Sequence, residues 1–410
     1  MTRFRQALFL FAIAACTIAW RPNGWVYHTP PYQYALNEAT WRYIDPASAM
    51  WCYEYASGQW NQYATLPQSW VFFDWPHAYV LETGTWRWMN GNDFLPCFSF
   101  AMGTWSMFGI PDSMAMIPGG TFLMGDMFDE GEPDELPVHR VMVDTFSMDK
   151  QLVSNAKLIE VLQWAQDRGK LISTSENIMN AEGDRQVLID QDDWWCRITW
   201  DGTQFGLVSA TDSNHPCVQV SWYGAVAFCN YRSEMEGLTP CYDLNNWTCN
   251  WLAGGYRLPT EAEWEKAARG GAIGHRFPWT DTETISHARA NYSASFDNHY
   301  DESYPSGSHP DYPRTSPVGA FPANGYSLHD MAGNLMEWCW DRYGGYYYSD
   351  PDATTPNPHG PETGDQRVLR GGSFGARAER CRVAYRNKRW PIWTYDGHYG
   401  FRCVRGSHAP

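Results

Sequence analysis

The sequence has 410 residues, more than the roughly 100 to 200 of an ordinary domain, which indicates two or three folded units. Aromatic residues make up 16% of the chain and charged residues only 19%, which excludes a disordered polyampholyte. The net charge of -16 excludes a basic protein that binds nucleic acid through its phosphates, so no nucleic-acid partner is expected.

Residues 1–19 have the pattern of an export signal. Arg3 and Arg5 precede an apolar run at 7–15, which is too short to span a bilayer but suits the centre of a signal peptide. The run leads into Cys16, which is either lipidated, as in a bacterial lipobox, or removed when cleavage in this small-residue stretch releases a soluble protein. We therefore expect an exported protein in the bacterial periplasm, at the cell surface or on the outer membrane as a lipoprotein.

Cysteine content agrees with export. The chain has 11 cysteines, and an even number remains once Cys16 is set aside, as suits disulfides in an oxidising compartment. It contains no Cys-x-x-Cys or His-Glu-x-x-His motif, so thioredoxin-like redox chemistry and zinc-protease chemistry have no support.

Residues 20–111 contain a tandem aromatic repeat of 45 residues. The shift aligns Trp25 with Trp70, Trp41 with Trp86, Cys52 with Cys97 and Trp60 with Trp105. Each copy holds two alternating segments that end in Trp, a pattern that predicts short β-hairpins spanning Tyr34 to Trp41, Tyr53 to Trp60, Tyr79 to Trp86 and Phe98 to Trp105. The rings either form the core of this small β-rich module or present flat faces to sugars or cell-wall polymer.

A more ordinary globular composition begins near residue 112. Three helices are predicted there from capping residues, and they run from Ser154 to about Arg168, from Ser221 to Met235 and from the Thr260 capping box to Arg269. Residues 170–212 have no clear period and are interpreted as an insertion that contains Trp194, Trp195 and Cys196. Residues 271–327 are rich in Gly, Pro, Ser, Asn and Asp, which indicates a surface built from loops.

Short motifs recur across about residues 114–405. They are Gly119-Gly120-Thr121-Phe122-x-Met124-Gly125, Val220-Ser221-Trp222, Tyr256-Arg257-Leu258-Pro259-Thr260-Glu261-Ala262-Glu263-Trp264-Glu265, Phe277-Pro278-Trp279, Gly333-Asn334-x-x-Glu337-Trp338, Arg370-Gly371-Gly372-Ser373-Phe374 and Gly400-Phe401-Arg402-Cys403. Their order and content resemble the formylglycine-generating enzyme family, also called the sulfatase-modifying factor family. The resemblance implies an α+β fold with low regular secondary structure, a variant of the C-type lectin fold. Family members include copper-dependent oxidases that convert a sulfatase cysteine to formylglycine, iron-dependent sulfoxide synthases with an added helical domain, and members of unknown activity.

The resemblance does not extend to the copper site. The family's first copper-binding thiolate stands three residues after the serine of the Gly-Gly-Ser segment, and here that residue is Ala376. Cys381 matches a later, structural cysteine of the family. Because two thiolates hold soft Cu(I), copper oxidation is not expected unless Cys339 and Cys381 act as a displaced pair. The alternative for these two cysteines is a structural disulfide or separate burial.

The resemblance also implies calcium sites, disulfides and a substrate groove. One calcium site maps onto Asp330, Gly333, Leu335 and Glu337, and another onto Asn291 and Tyr292. Cys229 and Cys403 match a family disulfide, while Cys241 and Cys249 flank a turn and could staple a local loop. The family's groove maps onto Ser373 and Arg386. The Arg-rich segment around them recognises an anionic or peptide ligand, or its arginines pair with carboxylates of the domain.

These observations favour an exported, calcium-stabilised binding or accessory module for a peptide, protein or glycan. The alternative is a formylglycine-generating oxidase that uses a non-standard thiol pair.

Overall fold

The computed structural model describes residues 111–406 except 395, together with ten strands between residues 24 and 107. The predicted signal peptide and Cys16 lie outside the described residues. The chain divides into two compact units, Met1–Asp112 and Ser113–Pro410. Within the described part, no helix combines the length and apolarity needed to cross a bilayer.

The first unit contains a ten-stranded antiparallel sheet, in the order β10-β9-β8-β7-β6-β1-β2-β3-β4-β5. Its strands are β1 Gly24–Thr29, β2 Tyr32–Ala35, β3 Thr40–Ile44, β4 Trp51–Glu54, β5 Gln59–Gln62, β6 Ser69–Asp74, β7 His77–Val80, β8 Thr85–Trp88, β9 Pro96–Ser99 and β10 Thr104–Met107. Strands β6 to β10 begin at the positions reached from β1 to β5 by the 45-residue shift. The backbone register places Tyr34 opposite Trp41, Tyr53 opposite Trp60, Tyr79 opposite Trp86 and Phe98 opposite Trp105.

The second unit mixes short strands with three α-helices. Its strands are β11 Met114–Ile117, β12 Gly120–Met124, β13 His139–Val143, β14 Phe146–Asp149, β15 Leu171–Ser173, β16 Asn177–Asn180, β17 Val187–Asp190, β18 Ile198–Trp200, β19 Phe205–Leu207, β20 Tyr242–Asp243, β21 Thr248–Cys249, β22 Tyr256–Arg257, β23 Met336–Arg342, β24 Arg367–Arg370, β25 Asn387–Arg389, β26 Tyr399–Gly400 and β27 Val404–Gly406. Its helices are α1 Asn155–Gln166, α2 Trp222–Met235 and α3 Glu261–Ala268.

Side-chain caps fix the starts of the three helices, as predicted. Ser154 accepts a hydrogen bond from the amide of Lys157, and Ser221 accepts one from the amide of Gly224. The Thr260 hydroxyl and the Glu263 carboxylate form the predicted capping box at the start of α3. These bonds satisfy amides that have no partner inside the helix.

Two sheets and a central apolar cluster organise the second unit. One sheet has the order β11-β14-β27-β22 and the other β25-β24-β23-β26. Helix α3 lies in the cluster through Trp264, which is fully buried beside residues that include Ile117, Phe146 and Val404. A buried side chain of this size contributes about 1.5 to 3 kcal/mol.

Residues 170–212 differ from the expectation of an irregular insertion, because they form the small sheets β15-β16-β17 and β18-β19. Strands of three or four residues are too short to give a visible alternation in the sequence. Residues 271–327 contain isolated bridges but no helix or strand, as predicted for loops. They are not all at the surface, because Phe277, Ile285 and Tyr292 are fully buried.

Candidate functional site

A turn after β24 forms the centre of the candidate site. The Ser373 carbonyl accepts the amide of Ala376 at 2.9 Å, which closes the turn. The Ser373 hydroxyl lies 3.0 Å from Nδ1 of His398, whose ring stacks on Phe374 with a centroid distance of 4.4 Å. Burial lowers the pKa of His398, so its imidazole is neutral at pH 7. Gly375 is exposed, and a Cβ there would lie 2.6 Å from Cε1 of the imidazole.

Two adjacent tryptophans of the inserted segment pack beside this turn. The ring of Trp195 lies 5.6 Å from that of Phe374 and 6.3 Å from that of His398, centroid to centroid. Trp194 packs against Trp195 at 4.3 Å and is 61% exposed. The Arg314 guanidinium lies over both indoles, 4.6 Å from the centre of Trp194 and 5.0 Å from that of Trp195. Sequence reasoning noted the tryptophan pair but did not connect it with His398 or Arg314.

The residues around the family's copper position offer little to a copper ion. Ala376 is buried, its methyl group cannot ligate a metal, and its carbonyl accepts the amide of Ser293 at 2.8 Å. Cys381 lies beneath the turn, where a Cβ on Gly372 would be 2.6 Å from its Sγ. Cys339 and Cys381 are free thiols with 0% exposure, and burial raises the pKa of both. Protonated, inaccessible thiols are poor ligands for Cu(I).

Arg386, which was expected to line the substrate groove, is buried instead. Its Nε and Nη2 donate to the Glu261 carboxylate at 2.7 and 2.8 Å, and its side chain has 0% exposure. Arg382 forms the same kind of pair with Glu135, at 2.7 and 2.8 Å. For these two arginines the structure supports pairing with carboxylates, and the groove assignment of Arg386 does not hold.

Glu337 and Asp330, which were expected to bind the same calcium ion, have different hydrogen-bond partners. Both carboxylate oxygens of Glu337 accept from Arg402 at 2.7 Å, and Oε2 also accepts from Trp264 Nε1 at 3.0 Å. Oδ2 of the buried Asp330 accepts the Gly319 amide at 2.8 Å, whereas its Oδ1 has no hydrogen-bond partner among the described residues. Burial raises the pKa of Asp330. Glu337 is thus held by one arginine and one indole N–H group, and Asp330 keeps one oxygen without a partner in the described part of the chain.

The other residues assigned to calcium include Gly333 and Asn291, whose backbones are in contact. Gly333 has a φ of 78°, and a Cβ there would be 2.3 Å from the carbonyl oxygen of Asn291. Oδ1 of Asn291 is buried and has no hydrogen-bond partner in the described part of the chain. Leu335 is fully buried, and the Tyr292 hydroxyl donates to Asp301. Among the described residues, no three His, Cys, Asp or Glu side chains are grouped to hold a metal, so any calcium would need amide and carbonyl oxygens.

The cysteines assigned to disulfides are free thiols in this structure. Sγ of Cys229 and Sγ of Cys403 are 3.6 Å apart in the core, so the predicted partners are neighbours. Cys241 donates to the Ala253 carbonyl at 3.6 Å, and Cys249 lies opposite Tyr242 in the register of β20 and β21. Both proposed pairings remain predictions.

A cavity of about 190 Å³ has neither Ser373 nor Arg386 among its lining residues. Trp279, Arg289 and Asp330 are among its lining residues. Arg289 lies over the Trp279 ring at 5.3 Å and pairs with Asp281. This cavity therefore does not correspond to the predicted substrate groove.

Comparisons with known proteins cover the second unit. Residues 108–407 match the family model described as a sulfatase-modifying factor enzyme 1-like domain. A formylglycine-generating enzyme of Streptomyces coelicolor is 34% identical over 304 residues, covering 70% of this chain and 87% of that enzyme. A Bos taurus protein named inactive C-alpha-formylglycine-generating enzyme 2 is 30% identical over 325 residues, covering 73% of this chain and 89% of the relative.

A solved structure gives a weaker likeness. PvdO from Pseudomonas aeruginosa has 24% sequence identity and a TM-score of 0.48, with 72% of this chain and 94% of that chain covered. The family match spans most of the chain, and the mixed helix and sheet content agrees with it. The chain therefore belongs to the sulfatase-modifying factor family, whose relatives include formylglycine-generating enzymes.

Proposed function

We propose that the second unit is a binding module of this family that does not carry out copper-dependent oxidation. The observation that carries this proposal is the residue at 376, where a methyl group replaces the family's first copper-binding thiolate. The remaining candidates, Cys339 and Cys381, are fully buried thiols with raised pKa. Cu(I) sites depend on accessible, deprotonated sulfur, which these three positions do not supply. The named inactive relative supports a non-oxidase role within the family.

The turn at Ser373 supports binding instead. His398 is held in one orientation by the Ser373 hydroxyl and by stacking on Phe374. Beside it stand Trp194 and Trp195, which add a partly exposed aromatic surface. Rigid aromatic and hydrogen-bonding groups held together at a surface are typical of recognition sites.

The alternative function is a formylglycine-generating oxidase that uses Cys339 and Cys381. The full-length protein is incubated with Cu(I), oxygen and a peptide that contains Cys-x-Pro-x-Arg, and mass spectrometry follows thiol-to-aldehyde conversion. The Streptomyces coelicolor enzyme is the positive control. We expect no conversion above the protein-free reaction. Conversion that disappears in the Cys381→Ser variant would establish the oxidase and overturn the binding-module proposal.

We also propose that calcium stabilises the segment around Asp330. Oδ1 of Asn291 in one of the two expected sites and Oδ1 of Asp330 in the other are buried without hydrogen-bond partners in the described residues. Each fits the hard oxygen ligands that calcium prefers. The carbonyls of Gly333 and Leu335 would add two more. Glu337 does not fit as a side-chain ligand, because Arg402 and Trp264 already occupy its carboxylate. Bound calcium would offset the buried charge of Asp330.

Thermal unfolding in calcium and in EDTA tests this proposal. We expect a higher melting temperature in calcium, and the difference should disappear in Asp330→Asn. Asp281→Asn is the matched control, because Asp281 lines the same cavity but pairs with Arg289 at the surface. Equal melting temperatures in calcium and EDTA for the unmodified protein would refute a calcium site.

Two further proposals concern the fold and the first unit. The second unit is a variant of the C-type lectin fold, which is supported by the pairing of β14 with β27 and by the extent of irregular structure. The first unit is an aromatic repeat module, supported by the strand register. Alanine at Trp41 and Trp86 tests its role, because unfolding indicates a core and retained folding with lost glycan retention indicates a ligand surface.

Export is proposed from residues 1–19, with lipidation at Cys16 as one outcome. The motif supports the proposal through its charged start and apolar run. Fractionation of a bacterial host that produces the protein tests export, and labelling with a palmitate analogue tests lipidation. Label that is lost in Cys16→Ala supports lipidation, and a protein that stays in the cytoplasm contradicts export.

A further inference from the structure

We propose that the surface formed by Trp194, Trp195, Arg314, His398 and Gly375, hereafter the Trp194 surface, binds an acidic saccharide. The inference rests on the proposed binding role of the second unit and specifies its ligand class. It is carried by an exposed indole packed on a second one, by a guanidinium that has no carboxylate partner in the part of the chain that the structure describes, and by the form of the backbone at the turn.

Trp195 is held in place by its backbone contacts before any ligand binds. The Trp195 amide donates to the Asp193 side chain at 2.8 Å, and the Cys196 amide donates to the Asp193 carbonyl at 2.9 Å. A Cβ on Gly397 would lie 2.6 Å from Cδ2 of Trp195, so the ring packs directly on that backbone. Trp194 rests on this support and still exposes 61% of its surface. A preorganised aromatic face loses little side-chain entropy when it binds the apolar face of a sugar ring.

Arg314 favours a negatively charged ligand. Its guanidinium carbon lies over the two indoles, and the guanidinium has no carboxylate partner among the described residues, in a chain with a net charge of -16. The Arg382 and Arg386 guanidiniums, by contrast, are committed to buried carboxylates. A guanidinium carries its N–H groups in its own plane, where a carboxylate binds in a bidentate manner. The ligand therefore carries an anionic group next to an apolar face, as a uronic acid does.

The backbone favours a saccharide over an extended peptide. Residues 373–376 form a closed turn, so they offer no free strand edge to which a peptide could add by backbone pairing. A second exposed ring pair, Phe296 and Tyr304, lies on a loop that joins this turn through the bond from the Ser293 amide to the Ala376 carbonyl. A second exposed ring pair on a loop bonded to this turn suits a further sugar ring of the same ligand.

His398 adds a polar contact within the Trp194 surface. Its Nδ1 is engaged by Ser373, and its Nε2 has no hydrogen-bond partner in the described part of the chain. A neutral imidazole fixed in this way can donate to or accept from a sugar hydroxyl.

Isothermal titration of the full-length protein with oligogalacturonate, an oligosaccharide of uronic acids, tests the inference. A neutral cello-oligosaccharide of equal length is the comparison ligand. We expect the uronate to bind more tightly, and more so at low salt. Trp194→Ala should weaken its binding by about tenfold, as the loss of a stacked ring implies. Arg314→Gln should weaken uronate binding by about tenfold and leave the neutral ligand unchanged.

Tyr346→Ala is the matched control, because Tyr346 is an exposed aromatic residue, at 87%, outside the Trp194 surface. It should bind as the unmodified protein does, and unchanged circular dichroism should verify the folding of all three variants. Absence of uronate binding, equal affinity for the neutral ligand, or uronate binding that survives both Trp194→Ala and Arg314→Gln overturns the inference. Failure of the proposed function is a different result, because it is seen as turnover of the Cys-x-Pro-x-Arg peptide and not as a change in saccharide binding.

Discussion

Replacing Glu337 with Gln tests whether this residue is a structural counterion or a calcium ligand. In the structure both carboxylate oxygens accept from Arg402 at 2.7 Å, and both side chains have 0% exposure. The amide of Gln can satisfy part of this geometry but leaves the Arg402 charge buried without compensation. Loss of one partner of a buried ion pair costs about 3 to 5 kcal/mol. At about 2 °C per kcal/mol for a unit of this size, the melting temperature should fall by about 6 to 10 °C.

Differential scanning calorimetry in calcium and in EDTA measures this effect. If Glu337 acts through Arg402, the decrease is the same in both buffers. Glu160→Gln is the control, because Glu160 forms a surface pair with Lys157 and should cost less than about 1 kcal/mol. A decrease confined to calcium buffer, or one smaller than about 2 °C, would refute the counterion assignment.

Oxidation should join Cys229 to Cys403 and raise the free energy of unfolding by about 4 kcal/mol, measured by denaturation with and without dithiothreitol. The difference should vanish in Cys229→Ser, and its persistence contradicts the pairing. Burial lowers the pKa of His359 to about 4, from 6.5 in the unfolded chain. Because the unfolded state takes up the proton first, stability is lost as pH falls from 6.5 to 4, by about 1 to 2 kcal/mol after allowance for solvent screening of the partly exposed ring. The His359→Gln variant should lose about 1 to 2 kcal/mol less stability over this pH range, measured by urea denaturation. The same pH dependence in the variant and the unmodified protein would contradict this cause. Gly375→Ala should displace His398 and weaken uronate binding with little change in melting temperature, whereas unchanged titration isotherms contradict the predicted clash.

Local chemistry made the helices predictable. Ser154, Ser221 and Thr260 each satisfy amides within three residues, so the sequence around each cap contained the whole interaction. The strands of residues 170–212 were not predictable, because segments of three or four residues contain too few alternations to indicate a face.

The candidate site depended on contacts between distant segments. The motif around Ser373 was predicted, but its partner His398 lies in a stretch without periodicity, and the indoles come from an insertion almost 180 positions earlier in the chain. Arg386 shows the opposite error. Its charge suggested a ligand, yet Glu261, 125 positions away, neutralises it inside the core. A sequence shows which residues are charged but not which of them form ion pairs in the fold.

The pairing of β14 with β27 has a consequence for synthesis on the ribosome. Met148 lies opposite Val404, and the Asp149 side chain accepts the amide of Cys403, so the sheet β11-β14-β27-β22 lacks β27, one of its two inner strands, until residues 404–406 have emerged. One edge of β14 therefore stays unpaired during most of translation, and contacts of such high sequence separation form slowly. Nascent chains of this protein are therefore expected to need a holding chaperone, and fragments that stop before Arg402 should aggregate rather than fold.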